Sequence, residues 1–231
     1  MRMRVSQLLL ALAAAVTLVV TMYGGLVWAP TERTMGDIQR IFYVHVPSAW
    51  TAFLAFFAVF VVSVLYLITK DLKWDRIGLA CAEIGTLFCT IVLITGPIWA
   101  KPVWGIWWTW DARLTSTLIL WLLYVSYLLL RDFLEEPARR ATLAAVFGIF
   151  GFIDVPIVYF SIRVWRTQHP QPVIGGGENS GLDPAMLKVV LFGWMAFLIL
   201  FVFLAVLRVR LEKGRDEVRE LRRRWMLQEG Q

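Results

Sequence analysis

The sequence predicts an all-α, polytopic integral membrane protein, a six-helix transmembrane bundle with three external loops, and three observations carry that class. Hydrophobic residues make up 59% of the chain and charged residues 17%, with a mean hydropathy of +0.66, a composition suited to lipid as solvent. Apolar runs of about 20 residues, the length at which a helix crosses a bilayer core, recur at 8–29, 49–69, 77–99, 114–130, 141–161 and 185–207. Lys and Arg are divided unequally between the two ends of these runs. Backbone polar groups find no water in hydrocarbon, so each run must satisfy its own as a helix.

The first run follows Arg2 and Arg4 and ends near Val27-Trp28-Ala29, which loosely resembles a signal cleavage site. Its apolar length exceeds the ~7–15 residues of a signal peptide core, so it reads as a retained span. A first external loop at 30–48 contains Phe42-Tyr43-Val44-His45-Val46-Pro47 and leads into the second run. The third run holds Cys81 and Cys89, placed as small hydrophobes, and Glu83 toward the end nearer the amino-terminal face, within reach of the interface or of a partner for the neutral acid. The fourth run follows a second external loop at 100–113. Asp154 in the fifth run precedes Pro156 by two residues, where the missing N–H frees a carbonyl and creates a local polar site. Intramembrane carboxylates such as these two are functional candidates or structural partners.

The sixth run follows a third external loop at 162–184, whose Gly175-Gly176-Gly177, Pro170 and Pro172 predict a flexible tip. These bounds give a membrane domain over 1–207 and a basic tail over 208–231. In the tail, Leu211, Val218, Leu221 and Trp225 recur at near-helical spacing among arginines, a pattern expected to lie on anionic lipid, with docking on an ATPase as the alternative.

Sixteen of the 23 Lys and Arg residues fall on the amino-terminal face: two before the first run, three in 70–76, three in 131–140 and eight from Arg208 onward. The positive-inside rule then makes both termini cytoplasmic and the three longer loops external. The net charge of +6 belongs beside anionic lipid and needs no nucleic acid. No Walker A sequence is present, so any ATP-driven step belongs to another subunit. The external loops hold no cysteine and the chain no CxxCH, which excludes a disulfide framework and that route to covalent haem attachment.

Function is written most densely in Trp104-Gly105-Ile106-Trp107-Trp108-Thr109-Trp110-Asp111, four tryptophans in seven residues. Interfacial anchoring needs one or two indoles. On a helix, positions 104, 107, 108 and 111 share a face, giving a stripe of three indoles and a carboxylate. That stripe fits a flat apolar ligand; an aromatic belt is the alternative. Asp111 reads either as the N-cap of the fourth span, as a group orienting the indoles, or as a partner contact.

The chain's only histidines, His45 and His169, fall in external loops on either side of this segment. Haem offers an apolar disc, an iron that takes nitrogen ligands on both faces and two propionates. Two imidazoles about 4 Å apart, nitrogen to nitrogen, would ligate it, at about 2 Å from the metal each. Arg113, Arg163, Arg166 and Lys101 are near enough in sequence to pair with propionates, arginine being suited to bidentate pairing. Solvated loop histidines are the alternative. Two other functions compete with haem presentation: an electron-transfer cytochrome b, which expects histidines within the apolar runs, and an export channel or proton-coupled transporter using Asp154 and Glu83, which expects a central polar pathway.

WGIWWTWDARLTS at 104–116 resembles the WGxWWxWD signature of haem-handling membrane proteins, which include cytochrome c maturation proteins C and F and the cytochrome c synthases. With FYVHVPSAW at 42–50, VPIVYFSIRVWRTQHP at 155–170 and six spans, the chain is most similar, over nearly its whole length, to the heme exporter protein C family. The resemblance implies non-covalent haem b held at the external surface of the bacterial inner membrane, with His45 and His169 as axial ligands. It also implies a tryptophan platform of Trp104, Trp107, Trp108, Trp110 and Asp111. Its implied partners are a periplasmic haem chaperone, a small single-span subunit and the ATPase and membrane subunits of an ABC transporter. The implied role is haem handling and transfer for c-type cytochrome biogenesis, not enzymatic catalysis.

The charge distribution makes a direct expectation about sidedness. In a background lacking Cys81 and Cys89, single cysteines at Thr31 and Gly176 should react with a membrane-impermeant thiol reagent in intact cells, and one at Glu135 only after permeabilisation. The reverse pattern overturns the orientation.

Overall fold

A chain that must close its own backbone hydrogen bonds in lipid forms helices wherever it can, and this one does so along nearly all of its length. The computed structural model describes residues 4–165, 167–169, 174 and 181–229. Its helices are α1 (Val5–Tyr23), α2 (Phe42–Thr69), α3 (Leu72–Trp104), α4 (Ala112–Asp132), α5 (Pro137–Phe152), α6 (Asp154–Val164) and α7 (Pro184–Glu229). A π-helical turn, Gly24–Trp28, extends α1, and a 3-10 turn, Asp37–Ile41, leads into α2. The described residues hold no strand beyond an isolated bridge between Glu32 and Gly36. Six helical segments are long and apolar enough to cross a membrane, α5 and α6 forming one of them.

Helix ends fall at caps, not where hydropathy falls, and this corrects the loop bounds. Asp71 accepts from the Lys73 amide at the start of α3 (2.8 Å), and Glu136 accepts from the Ala138 and Arg139 amides at the start of α5, with Pro137 in its first turn. The connection expected at 30–48 ends by Phe42, the one at 100–113 narrows to 105–111, and the one at 162–184 starts after Val164. His45 therefore belongs to the first turn of α2 and not to a loop. Residue 207 lies inside the unbroken α7, about 69 Å long at 1.5 Å per residue. A tail lying flat on the membrane needs a turn after its span, and α7 has none. The Gly175–Gly177 tip lies outside the described residues.

The helices alternate in direction, so 29–41, 105–111 and the described residues between α6 and α7 share one end of the bundle. Cross-links confirm the pairing of ends: Tyr66 Oη donates to the Ala138 carbonyl at the amino-terminal end, while Gly24 meets Val189 and Trp104 meets His169 at the other. α2 and α3 form the centre. Ala52, Ala55, Phe56 and Val59 of α2 pack on Cys81, Ala82, Ile84, Phe88 and Cys89 of α3, joined by Leu120 and Tyr124 of α4, Val158 of α6 and Phe197 of α7. At Gly85 a Cβ would fall 2.8 Å from the Phe56 ring, so only glycine lets α3 come this close. Cys81 and Cys89 are buried and unbridged, as expected of small hydrophobes. α1 packs on α7 and leaves most of its apolar surface outward.

Two ion pairs tie the amino-terminal half together, and neither was visible in the sequence as a pair. Arg131 of α4 makes a bidentate bridge to Asp75 of α3, 2.6 and 2.7 Å, with both side chains buried. Glu83 of α3 binds Arg208 of α7, which also donates to Glu212 at 2.8 Å. Glu83 is thus a structural partner. Asp154 sits at the break between α5 and α6, buried, with Oδ2 lacking a hydrogen-bond partner.

Breaking the buried Asp75–Arg131 pair strands a charge. Asp75→Ala is expected to cost about 3–5 kcal/mol, seen as a lower unfolding temperature in detergent, while Asp75→Leu combined with Arg131→Met should recover most of that loss.

Candidate functional site

The site is built from the end of α2 that follows the 3-10 turn. Arg40 clamps this entry by donating to the Gly25 carbonyl (2.8 Å) and the Ala29 carbonyl (3.4 Å) at the end of α1. Pro47 is tolerated in the second turn of α2 because few N–H bonds are lost so near the start. His45 is 9% exposed, and its Nδ1 lies 2.8 Å from Thr95 Oγ1 of α3. One turn further along α3, Trp99 meets the His45 ring edge-on at 5.8 Å and the Phe42 ring at 6.2 Å. Thr95 and Trp99, four apart, share the face of α3 that looks at His45.

The tryptophan segment does not form the expected helical stripe. α3 ends at Trp104 because Gly105 takes a left-handed conformation (φ 78°), and Lys101 Nζ donates to the Gly105 carbonyl at 2.8 Å. Residues 105–111 then run without helix until Asp111 caps α4. Asp111 Oδ1 accepts from the Leu114 amide (2.9 Å) and Oδ2 from Thr109 Oγ1 (3.0 Å), so the N-cap reading holds and no indole N–H donates to this carboxylate among the described hydrogen bonds. The four indoles part company. Trp104 and Trp108 are half-buried, while Trp107 and Trp110 are 58% and 76% exposed. Trp104 meets the His169 ring at 6.3 Å, and Trp108 meets Trp110 edge-on at 5.8 Å, with its buried Nε1 unpartnered.

Arg113, in the first turn of α4, buries Nη1 with no hydrogen-bond partner among the described residues and lies within electrostatic reach of His45, Asp111 and Tyr159. His45 and His169 are also within electrostatic reach of each other. The structure therefore gathers His45, His169, Trp104 and Arg113 at one end of the bundle. Arg163 is exposed, its guanidinium 5.5 Å from the Tyr159 ring centre. Arg166 lies outside the described residues. Among the described residues no three His, Cys, Asp or Glu side chains are grouped to hold a bare metal ion. Sequence reasoning missed Thr95, whose one signal was a hydroxyl near the end of an apolar run, four residues before Trp99.

Residues 2–225 match the family model described as heme exporter protein C. The chain belongs to that family. It is 35% identical to heme exporter protein C of Bradyrhizobium diazoefficiens, over 92% of this chain and 80% of that protein. The same name is carried by an Escherichia coli K12 protein 34% identical over 92% of this chain and 87% of its own length. A ccmC-like mitochondrial protein of cytochrome c biosynthesis from Marchantia polymorpha is 37% identical over 80% and 78%.

The Asp111 cap yields a measurable expectation. Asp111→Ala should lose about 0.5–2 kcal/mol of stability and Asp111→Ser far less, compared by thermal unfolding of the purified proteins.

Proposed function

We propose that this protein binds haem b non-covalently at the bundle end that carries both histidines and passes it to a periplasmic haem chaperone, for attachment to apocytochromes c. Family membership gives it a part in haem delivery for cytochrome c maturation, and its six span-length helices make it a multi-pass membrane protein. The reading is supported above all by His169 and Arg113 each lying within electrostatic reach of His45, with Trp104 against the His169 ring.

The residues fit the group on three counts. Two imidazoles with no third ligating side chain grouped with them among the described residues suit a metal that brings four ligands of its own. Arg113 keeps a buried N–H without an acceptor, which a propionate would complete as a charge-assisted bond. Trp104 and Trp108 present apolar, half-buried rings able to cover a flat ligand. When bound, haem supplies an iron that accepts nitrogen ligands on both faces. In this reading His45, from a helix, and His169, from the connection after α6, would hold the haem iron. Arg113 anchors a propionate, with Arg163 and Arg166 as further anchors. Trp107, Trp110 and Asp111 complete the platform and its outer surface.

The proposed partners are a periplasmic haem chaperone, a small single-span subunit and the ATPase and membrane subunits of an ABC transporter, so that ATP hydrolysis belongs elsewhere. Both termini are cytoplasmic in this arrangement, in the bacterial inner membrane. A membrane cytochrome b expects both ligands on helices; His45 is on one, but His169 is not. A proton pathway through Glu83 is disfavoured by its pairing with Arg208.

The purified protein should show a low-spin, six-coordinate haem spectrum, and acidified organic solvent should extract the haem completely. Unchanged haem in a His45→Ala, His169→Ala double variant overturns the ligand assignment. Replacing Trp107 and Trp108 by Ala should lower haem content, whereas Asp111→Asn should spare haem and reduce haem-loaded chaperone in the same cells. Normal haem and normal loading in the tryptophan variant would reduce the segment to a membrane anchor.

A further inference from the structure

A ligating histidine must present an unprotonated nitrogen to its metal, and the partner of its other nitrogen decides which one that is. Here that partner is Thr95. The Thr95 hydroxyl carries one proton. Its oxygen lies 2.7 Å from the Ile91 carbonyl, 3.4 Å from the Val92 carbonyl and 2.8 Å from His45 Nδ1. A carbonyl can only accept, so the Ile91 and Nδ1 contacts are satisfied together in one way alone: the hydroxyl donates to Ile91 and the imidazole donates from Nδ1 to the hydroxyl. In the neutral ring this leaves Nε2 as the free lone pair. Trp99 packs edge-on against the same ring and limits its rotation, and burial of His45 removes the water that otherwise scrambles the tautomer.

We propose that Thr95 is a positioning residue for haem ligation: it fixes His45 as the Nδ1–H tautomer, with Nε2 as the iron-binding nitrogen. This rests on the assignment of His45 as an axial ligand. The bond crosses from α2 to α3, so the ring is oriented before any ligand arrives. A hydrogen bond at Nδ1 also raises the basicity of the coordinating nitrogen, and a more basic ligand favours ferric over ferrous iron.

The first test needs neither haem nor a variant that must bind it. The chain has only two histidines, so 15N-histidine labelling of the haem-free protein gives the ring nitrogens of two residues, assigned with His169→Ala. His45 is expected as the Nδ1–H tautomer; an Nε2–H tautomer overturns the proposal. The second test compares Thr95→Val with Thr95→Ser in haem-loaded protein. The valine variant should bind haem about 10-fold to 100-fold more weakly, with a more positive midpoint potential, and serine should restore both. Valine protein with the wild-type affinity and potential overturns the role of Thr95 while leaving the ligand assignment intact. If His45→Ala keeps the wild-type spectrum, the ligand assignment itself falls and the proposal falls with it.

Discussion

The close approach of α2 to α3 is the constraint on which the rest of the molecule depends. In lipid no hydrophobic force drives one helix onto another, so association comes from tight van der Waals contact and from polar bonds between helices. Gly85 supplies the first by admitting the Phe56 ring, and Phe56 in turn stacks on Tyr124 of α4 at 3.7 Å. The same seam then carries the polar contact of the site. Thr95 lies ten residues beyond Gly85, about 15 Å along the helix, and its bond to His45 forms only if the two helices keep their spacing over that distance. Packing deep in the bundle is therefore part of what aims the imidazole.

Arg113 differs from Arg131 and Arg208 in its partners. Toward the amino-terminal end, Arg131 is matched by Asp75 and Arg208 by Glu83 and Glu212. Such pairs cost desolvation and return specificity of helix arrangement, and an unmatched member is strongly destabilising. At the histidine end, Arg113 keeps Nη1 buried and unsatisfied, even though a carboxylate, Asp111, stands two residues away. Asp111 is committed to the Leu114 amide and the Thr109 hydroxyl. In the proposed function that unpartnered N–H is the place for a propionate.

The fold was legible because lipid imposes a simple rule: six apolar runs of spanning length must be six helices. Helix ends were less legible, since hydropathy marks the lipid-facing part of a helix while caps such as Asp71, Glu136 and Gly105 mark its ends. That difference moved His45 from a loop into α2. The tryptophan stripe failed for the same reason, because one left-handed glycine outweighs a favourable spacing. Pairings such as Asp75 with Arg131, or His45 with Thr95, were out of reach: they join residues 56 and 50 positions apart, and no periodicity within one helix encodes which neighbour it meets. The histidines and the tryptophan segment could be singled out because such residues are rare in the chain or unusually concentrated, and the structure brings His45, His169, Trp104 and Arg113 to one end.

Losing the helix gives the tryptophan segment a property that a stripe lacks. A stripe would present its indoles to one side only. Instead Trp104, the last residue of α3, packs against His169 and Trp108 is half-buried, while Trp107 and Trp110 of the irregular 105–111 connection stand in the open. Exposed indoles at a membrane boundary satisfy themselves in the headgroup layer, but they also supply rigid, low-entropy contact area for another protein. In the proposed function one short segment thus serves both sides of a transfer, its inner rings against the haem and its outer rings toward the acceptor. In that reading ligand and acceptor meet the same seven residues, 104–110, through different indoles.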